Sequence, residues 1–201
     1  HEEDDQPTAS ANIHVSLPPE PLTQDKNEAQ HTREKWVINQ DDIQTVGKSL
    51  GSGMLGDTKR CTYGDKMTAA TIKYLRPYRA TQEFITDFAD DVRTCYELPL
   101  HERVVPVLGG VIEGGCAYLC PEYAKATDLG IFIRGLHGTT EIESRMDIAI
   151  QVAEGLEFLH EHNTMHGLLK SSDVLLNAVG PNGKHEALIK DYGFTRTRWY
   201  N

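Results

Sequence analysis

The sequence contains no uninterrupted apolar run approaching the length needed to cross a bilayer, so no membrane segment is expected within its 201 residues. Basic residues are in the minority. Twenty Lys and Arg against thirty Asp and Glu leave a formal net charge of −10, the wrong sign for a protein that lives on phosphate backbones, and nucleic acid is excluded as a main partner. Cysteines are few. Cys61, Cys95, Cys116 and Cys120 fit no close metal-ligand pairing and read as buried thiols in a reducing compartment, which points to the cytoplasmic side. No internal repeat is visible. An initiating methionine and the basic-then-apolar order of a signal peptide are both missing, and the expectation is a fragment or processed chain.

What is present divides by composition. Residues 1–34 hold eight acidic and two basic side chains, the cluster Pro18-Pro19-Glu20-Pro21 and few large apolar residues. Such a segment cannot bury enough surface to offset its ordering entropy, and a disordered acidic lead-in is expected. From Lys35-Trp36-Val37-Ile38 the composition turns globular. Strands are expected over Ile43 to Leu50, Thr58 to Tyr63 and Met67 to Tyr74, the last two joined by a tight turn at Tyr63-Gly64-Asp65-Lys66. Phe84, Phe88, Val92 and Tyr96 recur every four residues, the stripe of one helix. Strands at Val104 to Leu108 and Ala117 to Cys120 follow. Helix then leads, with Ile148, Val152, Leu156 and Leu159 on one face, before short strands at Val174 to Leu176 and Ala187 to Lys190 separated by a turn at Gly180-Pro181-Asn182-Gly183.

Gly51-Ser52-Gly53-Met54-Leu55-Gly56 matches G-x-G-x-x-G, a pattern that turns also produce for conformational reasons alone. Its context decides. A dinucleotide-binding fold would follow the third glycine with a helix, whereas Asp57 to Tyr63 reads as a strand, so the loop joins two antiparallel strands and would lie over phosphates as a lid. Further landmarks follow in order: Ala70-Thr71-Ile72-Lys73, then Leu119-Cys120-Pro121-Glu122-Tyr123, His166 to Asp173, and Asp191-Tyr192-Gly193.

With these landmarks the chain, from about Ile43 to its end, resembles the tyrosine-kinase-like branch of the protein kinase family. The resemblance implies an α+β, two-lobed protein-kinase-like fold, with a five-stranded N-lobe carrying one helix and an incomplete helical C-lobe, truncated after the D-F-G-like motif. The implied divisions are the lead-in over 1–34, an N-lobe with the start of the hinge over 35–123, and a partial C-lobe over 124–201. It implies ATP and Mg²⁺ as cofactors. Gly51, Gly53, Gly56, Lys73, Glu122, Ala124 and Leu175 would contact the nucleotide, with Lys73 on the phosphates and the hinge main chain at Glu122 and Ala124 on adenine. Asp191 and Asp173 would hold the metal. Asp91, one turn from Phe88, would be the helix partner of Lys73, with Asp87 spaced similarly from Phe84.

The departures bear most on function. Leu168 occupies the place of the aspartate that accepts the substrate hydroxyl proton, and an aliphatic side chain can neither take that proton nor orient the nucleophile. Gly167 replaces the arginine that pairs with a phosphorylated activation segment, and Asp173 replaces the metal-binding asparagine. Thr58, Thr71 and Pro121 stand where valine, alanine and the gatekeeper are usual, which puts nucleotide affinity in question. His166 is expected to brace the loop. The resemblance therefore implies a pseudokinase: a regulatory or scaffolding module in signalling whose partners are other signalling proteins, an active kinase among them. The acidic lead-in also looks like the intracellular juxtamembrane stretch of a membrane receptor. Two alternatives stand beside this. One is an active tyrosine or dual-specificity kinase with a divergent catalytic loop, and the other is the kinase-homology region of a receptor guanylyl cyclase.

Overall fold

The computed structural model describes residues 34–53, 56–76, 81–135, 142–179 and 184–197. Outside them lie most of the expected lead-in, Met54 and Leu55 of the glycine loop, and the turn at Gly180-Pro181-Asn182-Gly183. Three long strands open the fold: β1 (Ile43–Gly53), β2 (Gly56–Tyr63) and β3 (Thr68–Leu75). The β2–β3 turn falls where expected, closed by Met67 N–H donating to the Gly64 carbonyl at 3.0 Å, with Gly64 at φ +69°, a backbone state that favours glycine. With β4 (Gly109–Val111) and β5 (Ala117–Pro121) these form an antiparallel sheet in the order β1-β2-β3-β5-β4.

The two-residue period of β3 and β5 sorts their side chains between core and cleft. Ala70 and Ile72 point inward to pack with Val111, Ala117 and Leu119, so Thr71 and Lys73 share the opposite face. Register places Tyr118 across from Lys73 and Cys120 across from Thr71 on that same face.

Helix α1 (Gln82–Glu97) starts at Thr81, whose Oγ1 accepts the Phe84 N–H at 3.2 Å, and stops at Leu98, the residue before Pro99. Its expected stripe is buried through Phe84, Phe88 and Val92, together with Cys95 and Asp91. Each fully buried phenylalanine contributes about 2 to 3 kcal/mol of hydrophobic stabilisation. These residues share a core with Tyr118, Tyr192, Phe194, Phe158 and Leu159, so one apolar cluster runs from the first sheet into the helical region.

The second region holds β6 (Ala126–Asp128), α2 (Leu129–Gly135), α3 (Ile142–Glu161), β7 (Val174–Val179) and β8 (Lys184–Ile189), with the strands ordered β6-β7-β8. Two sequence expectations are corrected here. Val104 to Leu108 is not the fourth strand. Val105 N–H donates to the Ile189 carbonyl and Ile189 N–H to that of Arg103, each at 2.8 Å, so the backbone at 103–105 pairs with the end of β8, while Leu108 N–H donates to the Leu119 carbonyl of β5 at 2.7 Å and β4 forms at 109–111. The other concerns α3, where the incomplete helical C-lobe implied by the resemblance would leave the stripe of Ile148, Val152, Leu156 and Leu159 short of cover. Ile148 and Leu159 are buried and the other two are partly buried against the same cores, while Ile142, Met146 and Ile150 form the exposed apolar face. Gln151 fixes the packing: its Oε1 accepts Ala187 N–H at 2.8 Å and its Nε2 donates to the His185 carbonyl at 3.2 Å.

Candidate functional site

Between the two regions lies a cleft of about 460 Å³, walled above by Leu50, Gly51, Thr58, Thr71 and Lys73 and behind by Tyr118, Cys120 and Pro121. Glu122, Tyr123 and Ala124 edge it, and Leu168, Asp173, Leu175, Lys190 and Asp191 form its floor. Strand period explains the floor residue: Val174 and Leu176 are buried in the lower core, which turns Leu175 to the cleft.

Most of the residues singled out in the sequence therefore meet, although the glycines divide. Gly51 lines the cleft, while Gly53 pairs with Gly56 at the base of the hairpin loop. A Cβ on Gly56 would collide with the Tyr74 carbonyl, and its φ of +143° adds to that requirement, so Gly56 serves the close approach of β2 to β3. Glu122 reaches the cleft edge with its carboxylate taken by Arg60 Nε at 2.6 Å.

Asp191 is the hub. Its Oδ2 forms an ion pair with Lys73 Nζ and lies 3.3 Å from Lys190 Nζ, and its Oδ1 accepts the Tyr118 hydroxyl at 2.6 Å. The backbone there has φ +62°, a left-handed state uncommon outside glycine, held by side-chain bonds at both carboxylate oxygens. Burial works to raise the Asp191 pKa, but the charges of Lys73 and Lys190 and the bonds from Lys73 and Tyr118 outweigh it, holding the carboxyl well below the usual carboxylate range. Burial, then the neighbouring Asp191 charge, pushes the Tyr118 phenol well up, so it remains a hydrogen-bond donor.

The motif around Asp191 is locked by packing. Tyr192 is buried with its hydroxyl donating to the Val105 carbonyl at 2.8 Å, which satisfies the extra oxygen that phenylalanine would lack. Gly193 sits at φ +78° with its Cα against Cys95 Sγ, leaving no room for a Cβ. Phe194 stacks on Tyr118 at 4.3 Å between ring centroids. His166 braces the floor as expected, donating from Nε2 to the Lys190 carbonyl at 3.0 Å.

One expected contact is replaced. Asp91 does not pair with Lys73: its Oδ2 accepts Thr197 N–H at 2.9 Å and Thr197 Oγ1 at 2.7 Å, and Arg196 Nη1 lies 3.7 Å from Oδ1. Asp87, the alternative, is half-buried on α1, and the Lys73 ion pair is with Asp191. A shorter aspartate on the helix meets the segment after Gly193, and the lysine takes the other carboxylate within reach.

Leu168 lies in the cleft floor, 46% exposed, so the position expected for a catalytic base presents an alkyl side chain to solvent. Tyr118 and Lys190 were not singled out in the sequence. Lys190 was legible as a cation directly before Asp191, whereas the role of Tyr118 depends on the β3–β5 register.

A model of the family described as protein tyrosine and serine/threonine kinase matches residues 44–200, spanning both sheets, the cleft and the Asp191 motif. The chain belongs to the protein kinase family. Among its relatives, a probable inactive serine/threonine-protein kinase of Dictyostelium discoideum is 27% identical over 187 residues, which is 79% of this chain and 9% of that protein. A serine/threonine-protein kinase of Arabidopsis thaliana is 25% identical over 166 residues, 82% of this chain and 27% of the relative. A dual serine/threonine and tyrosine protein kinase of Xenopus laevis is 30% identical over 156 residues, 75% of this chain and 16% of the relative. The chain thus spans at most 27% of the length of these relatives. Among the described residues, no helix is long and apolar enough to cross a membrane.

Kinases generally work with ATP and Mg²⁺, and a divalent cation needs carboxylate oxygens free to approach it at about 2.0 to 2.1 Å. In this kinase domain the donor set does not fit that demand. Both Asp191 oxygens are engaged, one by two ammonium groups and the other by a phenol. Asp173 is buried with Oδ2 4.0 Å from His166 Nε2. The expected pairing of Asp191 and Asp173 around Mg²⁺ is therefore not the arrangement found.

Proposed function

We propose that this kinase domain is a pseudokinase that binds a nucleotide in the cleft and acts as a regulatory or scaffolding module in signalling. The observation that carries the reading is Leu168. The loop around it keeps its form, with His166 bonded to the Lys190 carbonyl and Asp173 buried, yet the position for the base offers no atom able to take a proton. Phosphoryl transfer depends on positioning the nucleophile as well as the phosphate, and a leucine can do neither part of that work.

Nucleotide binding is supported by the convergence of Gly51, Lys73, Glu122, Ala124 and Leu175 on one cleft. In this reading the adenine lies between Leu175 and the upper sheet, against the hinge main chain at Glu122 and Ala124, and Lys73 meets the phosphates. Thr58 and Thr71 make that upper wall more polar than an aliphatic one; Thr71 Oγ1 donates to the Cys120 carbonyl at 3.4 Å, which leaves its methyl group for the base. The four cysteines are unpaired, which favours a reducing, cytoplasmic setting. Partners in this reading are other signalling proteins, including an active kinase.

A melting series in ATP tests the binding half. A ligand that binds only the folded state stabilises it by mass action, about 2.7 kcal/mol at a hundred times Kd. The expected result is a Tm that climbs with ATP concentration in the wild type and stays flat in Lys73→Ala. A flat wild-type series would contradict nucleotide binding.

A further inference from the structure

Lys190 is the residue of the cleft that the kinase reading leaves without a task. It follows β8 directly in the floor, three-quarters buried, with Nζ 3.3 Å from the same Asp191 oxygen that pairs with Lys73. The backbone holding it is fixed at both ends: its N–H donates to the Asp173 carbonyl at 2.9 Å and its carbonyl accepts from His166. Two ammonium groups thus face one carboxylate, and the hub carries a net positive charge. Lys170 adds a third, exposed cation to the same cleft. The remaining floor carboxylate, Asp173, is buried beside His166, and Asp128 at the rim accepts the Ile131 N–H at 2.7 Å.

A divalent cation entering this hub would have to displace two ammonium groups from Asp191 and remain beside them. A polyanion meets the opposite situation, because the ammonium groups already stand where the metal's charge would be and donate charge-assisted hydrogen bonds directly. We propose that the cleft binds the polyphosphate chain of a nucleotide without a divalent cation, with Lys190 beside Lys73 supplying the positive charge that a metal would otherwise bring. The proposal rests on the nucleotide-binding reading above and adds to it the ionic form of the ligand: free ATP is preferred to its Mg²⁺ complex, since the complex carries less negative charge and a cation the hub repels.

Isothermal titration calorimetry of the protein with ATP, in EDTA and in excess MgCl₂, decides. The expected result is that wild type binds ATP in EDTA at least as tightly as in MgCl₂. Lys190→Met should lose about tenfold in affinity in EDTA, the worth of one charge-assisted hydrogen bond, and Lys190→Arg should keep most of it. Binding that requires Mg²⁺, whatever the variants do, overturns this proposal and leaves the nucleotide-binding reading standing. Metal-free binding that is indifferent to Lys190→Met overturns the assignment of Lys190. No binding in either buffer, by protein whose circular dichroism shows it folded, overturns both. The wild-type comparison stands without the variants, so a variant that fails to fold does not remove the test.

Discussion

Asp91 on α1 and Thr197 beyond Gly193 are joined by two hydrogen bonds to one carboxylate oxygen, at 2.9 Å from the backbone N–H and 2.7 Å from the hydroxyl, with both residues buried. The helix carboxylate and Lys73 therefore each take a partner from the segment around Asp191, and neither takes the other. Helix, sheet and segment are coupled through these two separate polar contacts and through the Phe88–Phe194–Tyr118 stack.

Asp91→Ala should destabilise the domain by about 2 kcal/mol, because it strips acceptors from two buried donors of Thr197. Asp91→Asn keeps one acceptor and removes a charge. Burial is the largest influence on Asp91 and raises its pKa despite the Thr197 and Arg196 contacts, so stability contributed by its protonated form is lost as pH rises through that raised value. The asparagine variant cannot ionise and should cost less than half of what alanine costs at neutral pH. Urea denaturation of the two variants measures both numbers.

Asp191 has the opposite linkage. Its folded pKa is depressed, so its contribution to stability is present above the unfolded value of about 3.9 and is lost progressively as pH falls below that. Asp191→Asn should lower stability at neutral pH by about 3 kcal/mol, since two partly buried ammonium groups lose their counter-charge. It should also flatten the acid limb of a Tm-against-pH curve below about pH 4. An acid limb as steep in the variant as in the wild type would mean that other carboxylates carry the linkage.

Cys120 faces the cleft yet should be a poor nucleophile. Burial first, and the Asp191 charge second, push its thiol up to about 12. At pH 8 the thiolate fraction is then of order one in ten thousand. Cys61 and Cys116 are raised to about 11, mainly by burial. Ellman's reagent should label the native protein much more slowly than the urea-unfolded one, which a time course reads directly.

The fold was legible wherever one period dominated. Phe84, Phe88 and Val92 announced α1, and the glycine loop followed by a strand announced the β1–β2 hairpin. Val104 to Leu108 misled because a continuous apolar run states that a segment is buried, without stating which sheet supplies its hydrogen bonds; β8 serves its start at 103–105 and β5 its end at Leu108. For α3 the apolar stripe was found and its cover misjudged, since β7 and β8, short and late in the chain, supply it. At the site, Lys73, Leu168, Asp173 and Asp191 were recognisable from local wording. The Lys73 partner was not, because two carboxylates within reach of one ammonium differ only in tertiary placement, and Asp91 meets Thr197, a residue with no motif of its own.

Transfer of radiolabelled phosphate from ATP, measured on the wild type beside Lys73→Ala with contaminating kinase excluded, tests the central claim most directly. With Leu168 at the base position, the wild type should show no incorporation above the Lys73→Ala background, into itself or into a generic protein substrate, at any divalent cation concentration. Robust turnover that disappears in Lys73→Ala would contradict the pseudokinase reading and show that another group in the cleft orients the nucleophile.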